Sequence, residues 1–423
     1  ARAPEQIDEA LRAMLTNSRP VYIEVRQDVF GAGCDKPVGK LKAVPPVSEP
    51  ASRDAAVDAA LLAIRSAKLP VLWAGVQIQR YGLQRLMQDI VDASGLFFTT
   101  TSLGKTVLDE KQPQFVGTYA GPASPAKTRA VMEACDCPVA LGAIITDDYL
   151  DIMKTSYGNM VEVNDEKARV GYEHYRFVAL KDFMTELLAR IKADSRFPRQ
   201  PKVPRHKPEK KPALKPAQPL TYERFYWELG EWLVEGNNIA RSKLNLGEST
   251  SLYVFGNLMG LPRDSFVAQA AWGSLGWETG CALGVELATG HRPIVVAGDG
   301  GLMMICQELS SLARQGSNAV VFVMSNTGYA IEQAFVDIKA FTPKGSFAPF
   351  DLLPEWDYGA LATAFGAKGF SVETVGELRA LLTQLKKRDG IPSLVQVKIP
   401  LKDLAPQLER LATPPADPAK SKA

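Results

Sequence analysis

Cysteine and histidine are scarce in this sequence, which has five cysteines and three histidines among 423 residues. So few cysteines exclude a disulfide framework and favour a reducing, cytoplasmic setting. Cys135 and Cys137 have the spacing of a zinc half-site, but no second pair of Cys or His stands at ligand spacing, so core cysteines are the better interpretation. His174 and His291 fall in turn-like contexts and His206 in a Lys- and Pro-rich stretch, and none of them is assigned to catalysis.

A strong charge of one sign and long apolar runs are also lacking. The net charge is +2 and no basic stripe is interleaved with aromatic residues, which argues against a nucleic-acid partner. No apolar run approaches the roughly 18–20 residues of a membrane span, and the N-terminus has no apolar signal-peptide segment. The composition, with 46% hydrophobic residues, is that of a globular protein of two or three domains, and we expect neither nucleic acid nor membrane as a partner.

Strand-like runs alternate with helical patterns along most of the chain, which predicts an α/β fold with parallel, doubly wound sheets. The first predicted strands are 70–75, 97–101, 138–142 and 160–164, and they follow a helix that Asp54 is expected to cap. The predicted organisation is a remnant of an N-terminal domain over 1–30, a linker over 31–52, a middle domain over 53–192, a Pro/Lys-rich linker over 193–219, a C-terminal domain over 220–405 and a tail over 406–423.

The N-terminal segment has the pattern of part of a domain. A helix over 5–15 and a β-rich strand over 21–25 cannot bury a core by themselves. The sequence also does not start with Met. We therefore expect either a fragment of a longer protein or a chain whose missing domain is a separate partner.

Polar residues follow two successive predicted strands, 293–297 and 319–324. The first strand leads into Gly298, Asp299, Gly300 and Gly301 and then into a helix expected over 302–316, and the second strand leads into 325–329. Ligands of open α/β sheets bind where parallel strands end. This edge is therefore the candidate binding site.

The residues at this edge suit a diphosphate bridged by Mg²⁺. Gly298, Gly300 and Gly301 let the backbone approach phosphate oxygens without a Cβ clash. Mg²⁺ prefers about six oxygen ligands, of which only one or two are carboxylates. Asp299 offers a carboxylate, Asn326 a side-chain carbonyl and Gly328 a backbone carbonyl.

The Gly-Asp-Gly at 298–300, with Asn326 downstream, resembles the signature of thiamine-diphosphate enzymes. The segment Gly328-Tyr329-Ala330-Ile331-Glu332 further resembles the G-Y-x-I-E of pyruvate and indolepyruvate decarboxylases. This resemblance implies thiamine diphosphate and Mg²⁺ as cofactors, Tyr329 and Ile331 beside the cofactor, and Glu332 in decarboxylation and product protonation. A solvated Glu in the first turn of a helix is the alternative for Glu332.

Two further segments carry the resemblance. The segment 272–277 resembles the family's W-G-x-I-G-W, which implies that the Gly273 carbonyl accepts a hydrogen bond from the cofactor's amino group and that Leu275 props the cofactor. A buried glycine turn between helices is the alternative. Gly247 and Glu248 resemble part of the family's D-x-G-D-S near the phosphates, although the strand expected before them, 239–244, carries two cations.

The resemblance implies non-oxidative decarboxylation of a 2-oxo acid to an aldehyde and CO₂, with an aromatic or branched substrate such as phenylpyruvate or indolepyruvate. The segment 334–336 lines a substrate pocket or belongs to the core. The resemblance also implies a homodimer or homotetramer and a pyrimidine-binding domain, supplied by the same or a partner chain, that carries the activating Glu and a His pair. Two alternatives stay open: a carboligase like acetolactate synthase, against which Glu332 argues, and a non-catalytic cofactor- or nucleotide-binding protein.

Overall fold

Two β-sheets organise the protein, and a computed structural model describes residues 2–165, 167–195, 197 and 211–413. Most of the predicted Pro/Lys-rich linker, with His206, and the predicted tail from 414 onward lie outside the described residues. Among the described residues, no helix is long and apolar enough to cross a membrane.

The first sheet has seven strands in the order β3-β2-β1-β4-β5-β6-β7. The first five strands in this order, from β3 to β5, are parallel to one another, while β6 and β7 form an antiparallel edge. The strands are β1 Pro70–Ala74, β2 Phe97–Thr100, β3 Phe115–Thr118, β4 Cys137–Leu141, β5 Val161–Val163, β6 Ala168–Val170 and β7 Glu173–Tyr175. The helices of this half are α1 Ala3–Asn17, α2 Pro50–Ser66, α3 Gln77–Arg80, α4 Gln84–Ser94, α5 Ala126–Ala134, α6 Leu150–Ser156 and α7 Leu180–Ala193.

The central strands of this sheet are apolar on both faces, as parallel strands covered by helices must be. Along β1, Val71 and Trp73 pack into one core cluster, and Leu72 and Ala74 into another. The two cysteines of the C-x-C are divided in the same way, because Cys135 lies in the Trp73 cluster and Cys137 in the Leu72 cluster. Burial raises the pKa of each thiol to about 12, as expected for core cysteines.

The second sheet has six parallel strands in the order β12-β13-β11-β10-β8-β9. Its strands are β8 Ser242–Leu246, β9 Phe266–Ala268, β10 Arg292–Gly298, β11 Val320–Ser325, β12 Lys368–Val372 and β13 Ser393–Lys398. Its helices are α8 Tyr222–Gly230, α9 Thr250–Phe255, α10 Trp277–Thr289, α11 Asp299–Ile305, α12 Glu308–Arg314, α13 Ala330–Asp337, α14 Tyr358–Ala364, α15 Val375–Gln384 and α16 Pro406–Ala412. The predicted doubly wound α/β fold is confirmed.

The direction of winding in the second sheet reverses between β8 and β10. The chain passes from β8 outward to β9, and then returns to place β10 and β11 on the other side of β8. The carboxyl ends of β8 and β10 therefore border the crevice in which doubly wound sheets bind ligands. Gly247 follows β8 and Asp299 follows β10, so both candidate segments lie at this crevice.

The strand predicted over 21–25 is wrong, whereas the preceding helix is confirmed as α1. Residues 19–26 form neither helix nor strand, and Tyr22 is 85% exposed. A β-rich composition makes a strand only when neighbouring strands satisfy its backbone hydrogen bonds. No strand among the described residues pairs with this segment.

Two other boundaries differ from the predictions. Helix α2 begins at Pro50 and its cap is Glu49, not Asp54, because the Glu49 carboxylate accepts the N–H groups of Ala51 and Ser52 and proline is tolerated at a first helical position. Helix α16 occupies part of the segment predicted as a tail, and buries Leu408 completely.

The strand predicted over 239–244 and the helix predicted over 302–316 also have different bounds in the structure. Strand β8 begins only at Ser242, so Arg241 ends a short 3-10 turn outside the sheet. Lys243 is buried within the strand, and its ammonium donates to the carbonyl of Asp264, which accounts for a cation in a buried strand. The predicted helix is divided into α11 and α12 near Cys306, whereas the strands on either side are confirmed as β10 and β11.

A buried ion pair joins the two halves of the chain. Lys105, from the middle domain, lies 2.6 Å from the Glu110 carboxylate and donates to the Leu258 carbonyl at 2.6 Å. Glu110 exchanges backbone and side-chain hydrogen bonds with Leu261. Burial lowers the pKa of Lys105 and raises the pKa of Glu110, and their mutual attraction opposes both shifts.

We expect Lys105→Met to lower the free energy of unfolding by about 3–5 kcal/mol, because it leaves the Glu110 carboxylate buried without its cation. Urea denaturation of the full chain measures this effect. Arg85→Ala is the matched control, since Arg85 pairs with Asp89 while 84% exposed, and it should leave stability nearly unchanged. Equal stability of the two variants would contradict a structural role for the buried pair.

Candidate functional site

Asp299 connects the ends of β10 and β11. Its side chain is almost fully buried, and Oδ2 accepts the backbone N–H groups of Asn326 at 3.1 Å and Thr327 at 2.7 Å. Oδ1 accepts the N–H of Gly300 at 3.0 Å. One carboxylate therefore fixes the segments that follow two neighbouring strands.

The charge of Asp299 is only partly balanced by these contacts. Burial raises the pKa of Asp299 to about 6, and the three N–H donors oppose the increase. A buried carboxylate is stabilised when it coordinates a cation. Its surroundings therefore suit a metal ion.

The turn after β11 is held in an unusual backbone conformation. Thr327 has a left-handed φ of 58°, and its carbonyl accepts the N–H of Leu353 at 2.9 Å. The Asn326 side-chain oxygen lies 3.3 Å from the N–H of Gly328. The three positions predicted as metal ligands, Asp299, Asn326 and Gly328, thus lie close together along the backbone, and they offer a carboxylate, an amide carbonyl and a backbone carbonyl. This set of hard oxygen donors fits Mg²⁺.

The glycines after β10 have different surroundings. A Cβ at Gly300 would overlap with the ring of Tyr329, whereas a Cβ at Gly298 would meet no atom within 4 Å. A Cβ at Gly301 would lie 3.3 Å from Oε1 of Glu278. Gly300 is therefore required by packing, and Gly298 leaves open space at the edge of the sheet.

Glu278 joins the two sides of the crevice and was missed by the sequence analysis. A Cβ at Gly247 would overlap with its carboxyl group, which also lies beside Gly301. Glu278 is 2% exposed, Oε2 has no partner among the described residues, and burial raises its pKa to about 7. Its position directly after the segment 272–277 was the available signal, but nothing in the sequence placed it beside Gly247.

The loop that carries Gly273 and Leu275 is exposed, so the alternative of a buried glycine turn is wrong. Gly273 has a φ of 59° and open space around it, and Leu275 is 36% exposed. Trp272 is 76% exposed. This loop forms an apolar rim beside the crevice.

Helix α13 presents the remaining candidates. Tyr329 precedes it and donates its backbone N–H to the carbonyl of Asp351 at 2.8 Å, while Ile331 packs against the core of the second sheet. Glu332 lies in the first turn and is exposed, which is also the position of the alternative, a solvated Glu, and its charge contributes to the raised pKa of Glu248. Glu332 and Glu248 therefore lie close enough for their charges to interact.

Glu248 lines a cleft of about 510 Å³ between the two halves of the chain. Gly273 and Phe335 line the same cleft, together with acidic residues of the middle domain. Phe335 and Val336 are 55% and 62% exposed, so the alternative that they belong to the core is wrong, although Ala334 is buried. Another cavity, about 430 Å³, is lined by residues of α4 and α7 and holds none of the candidates.

Comparison with known proteins agrees with this arrangement. Residues 252–397 match the family described as "Thiamine pyrophosphate enzyme, C-terminal TPP binding domain", and residues 57–191 match "Thiamine pyrophosphate enzyme, central domain". The chain belongs to the thiamine pyrophosphate enzymes. The first match contains most of the second sheet and the second match contains the first sheet.

The similar proteins place this thiamine pyrophosphate enzyme among the 2-oxo acid decarboxylases. Pyruvate decarboxylase isozyme 3 of Saccharomyces cerevisiae is 28% identical over 430 residues, which covers 97% of this chain and 73% of the yeast protein. Pyruvate decarboxylase of Kluyveromyces lactis is 28% identical, with coverage of 97% and 73%. That of Aspergillus fumigatus is 27% identical, with coverage of 96% and 71%. Thiamine pyrophosphate, or thiamine diphosphate, is therefore the cofactor, and Mg²⁺ is the usual metal of this family.

Gly300→Ala should destabilise this thiamine pyrophosphate enzyme by about 1–3 kcal/mol, because the added methyl group forces the Tyr329 ring out of place. Gly298→Ala is the matched control and should change stability by less than about 1 kcal/mol, since its methyl group enters open space. Urea denaturation of both variants tests this. A tolerated Gly300→Ala would show that the Tyr329 ring is not fixed.

Proposed function

We propose that this chain carries out the non-oxidative decarboxylation of an aromatic or branched 2-oxo acid to an aldehyde and CO₂, at the crevice between β8 and β10. The observation that carries the proposal is the Asp299 carboxylate, which joins the segments that follow β10 and β11. This arrangement supports a metal-bridged diphosphate site within a domain whose family binds thiamine diphosphate.

In this proposal Asp299, Asn326 and the Gly328 carbonyl hold Mg²⁺. The backbone of Gly298, Gly300 and Gly301 approaches the diphosphate on one side of the crevice, and Gly247 with Glu248 does so on the other. The Gly273 carbonyl would accept a hydrogen bond from the cofactor's amino group. Leu275, Tyr329 and Ile331 would pack against the cofactor. When bound, thiamine diphosphate supplies an acceptor for the electron pair left behind as CO₂ departs.

Glu332 handles the proton that the reaction consumes. Conversion of a 2-oxo carboxylate to an aldehyde and CO₂ breaks one C–C bond and forms one C–H bond, so one proton enters per turnover. Glu332 is exposed in the first turn of α13, and it lies near enough to Glu248, which lines the cleft with Gly273, for its charge to raise the pKa of Glu248. A carboxyl group in this place can exchange a proton between solvent and the reacting carbon.

The apolar rim of the crevice supports the proposal that a further protein surface packs against it. Trp272, Phe335, Val336 and Phe350 are each more than half exposed near the candidate residues, and exposed apolar patches of this kind mark interaction sites. We infer that a pyrimidine-binding domain packs here, from the same longer protein or from a partner chain, within a homodimer or homotetramer.

The substrate side chain is inferred from the same rim. Phe335 and Val336 offer an apolar surface beside Gly273, which favours an aromatic or branched substrate such as phenylpyruvate or indolepyruvate. Pyruvate is the competing substrate, because the similar proteins are named pyruvate decarboxylases.

The 423-residue chain alone should bind thiamine diphosphate weakly and should not turn over, because one face of the crevice is uncovered. A panel of pyruvate, branched-chain and aromatic 2-oxo acids, assayed for CO₂ and aldehyde with and without the pyrimidine-binding domain, tests this. Acetolactate in place of acetaldehyde from pyruvate would favour the carboligase. Decarboxylation by the isolated chain would contradict the need for a partner.

Asp299→Asn should reduce the affinity for thiamine diphosphate in the presence of Mg²⁺ at least tenfold, since groups that only orient metal ligands already contribute roughly 10–100-fold. Isothermal titration calorimetry with and without Mg²⁺ measures the loss. Asp337→Asn is the control, because Asp337 is exposed at the far end of α13. An unchanged Mg²⁺ dependence in Asp299→Asn would show that Asp299 does not hold the metal.

A further inference from the structure

A tyrosine links two carboxyl groups across the cleft between the middle and C-terminal domains. The Tyr253 hydroxyl lies 2.9 Å from Oε1 of Glu248 and 3.2 Å from Oδ1 of Asp148. Tyr253 is 7% exposed and lines the cleft with both acids. We call Asp148, Tyr253 and Glu248 the carboxyl bridge.

When both acids are ionised, the carboxyl bridge has too few hydrogen atoms for both contacts to be hydrogen bonds. A tyrosine hydroxyl has one hydrogen and can donate to only one of the two carboxylates. The other contact then requires a proton on its carboxyl group, which donates to the Tyr253 oxygen. Burial and the two acids raise the pKa of Tyr253, so the tyrosine keeps its own hydrogen.

The pKa values favour Glu248 over Asp148 as the acid that holds the extra proton. Burial raises the pKa of Glu248 to about 7, the hydrogen bond with Tyr253 opposes the increase, and the charges of Asp148, Asp147 and Glu332 add to it. Burial raises the pKa of Asp148 to about 6. The other charged groups on the elements packed around Glu248 are Glu278 of α10, Asp151 and Lys154 of the middle domain, Glu223, Arg224 and Glu228 of α8, and Glu409 and Arg410 of α16.

The charge on Glu248 matters because of its place in the crevice. It directly follows Gly247, which lies beside Glu278 and so beside Gly301. It also shares its cleft with Gly273. An ionised Glu248 would add a negative charge at the site proposed for a diphosphate, and the repulsion would be little screened within a partly buried cleft.

We propose that Asp148, acting through Tyr253, is a positioning residue that keeps the Glu248 carboxyl group protonated at neutral pH, so that the crevice presents a neutral group to the cofactor diphosphate. In this state Glu248 donates to the Tyr253 oxygen, and Tyr253 donates to the Asp148 carboxylate. The inference rests on the proposed function, and it adds a residue of the middle domain to the control of cofactor binding.

Calorimetric titration of the full chain with thiamine diphosphate or inorganic pyrophosphate, each with Mg²⁺, tests the proposal between pH 6 and 8.5. Wild-type affinity should fall about tenfold from pH 6 to pH 8, as Glu248 loses its proton. Glu248→Gln should lose the part of this decline that Glu248 causes and keep only the titrations of the ligand and of Glu278, whose pKa burial raises to about 7. Asp148→Asn should move the decline to lower pH, because it removes a charge that favours protonated Glu248.

Asp151→Asn is the matched control, since Asp151 lines the same cleft outside the carboxyl bridge, and its pH profile should follow the wild type. The proposal is overturned if Asp148→Asn and Asp151→Asn give the same profile, or if Glu248→Gln keeps the wild-type decline. A loss of affinity in Asp148→Asn that is equal at every pH would show a merely structural role and would also overturn it.

Infrared spectroscopy of the ligand-free chain gives a readout that does not depend on the proposed function. At pH 6 the wild type should show, besides the C=O absorption of other buried acids such as Glu278, the band of one protonated carboxyl group that disappears in Glu248→Gln and changes frequency in Tyr253→Phe. Absence of this band overturns the inference. If the band is present but neither diphosphate binds at any pH, the cofactor site itself, and with it the role assigned to the bridge, is wrong.

Discussion

The candidate site depends on one buried carboxylate. Asp299 accepts backbone N–H groups from the turn after β11 while it begins α11 after β10, so the ends of two neighbouring strands behave as one rigid edge. Dipoles of N–H groups balance its charge only in part, and its raised pKa reports the remaining cost of burial. A bound cation would offset that cost at the place where the two strands end.

Much of this edge could be predicted from the sequence because its signals are local. Buried parallel strands have continuous apolar runs, and β10 and β11 therefore lie within one or two residues of the predicted strands. Asp299, Asn326 and Gly328 follow these strands directly, and parallel pairing brings them to the same edge without any long-range information.

The remaining features depend on contacts between distant parts of the chain. Glu278 touches Gly247 only because α10 packs across the crevice, and Tyr253 meets Asp148 from a different domain. No spacing in the sequence encodes either contact. The prediction of a strand at 21–25 was also wrong because of a distant contact, in this case one that is lacking among the described residues. Strand-like residues without a pairing partner do not form a strand.

The two domains contribute to one cleft because buried contacts join them, among them those of the Lys105–Glu110 ion pair of the middle domain. Lys105 and Glu110 are held by Leu258 and Leu261, just beyond the helix that carries Tyr253. Asp148, from the middle domain, lies at hydrogen-bonding distance from Tyr253 in this arrangement. A cofactor anchored at this crevice would still meet the chain on one side only, beside the exposed rim of Trp272 and Phe335. Because decarboxylation benefits from the exclusion of water, a pyrimidine-binding domain packed on this apolar rim, as we propose, would enclose the reacting end of the cofactor.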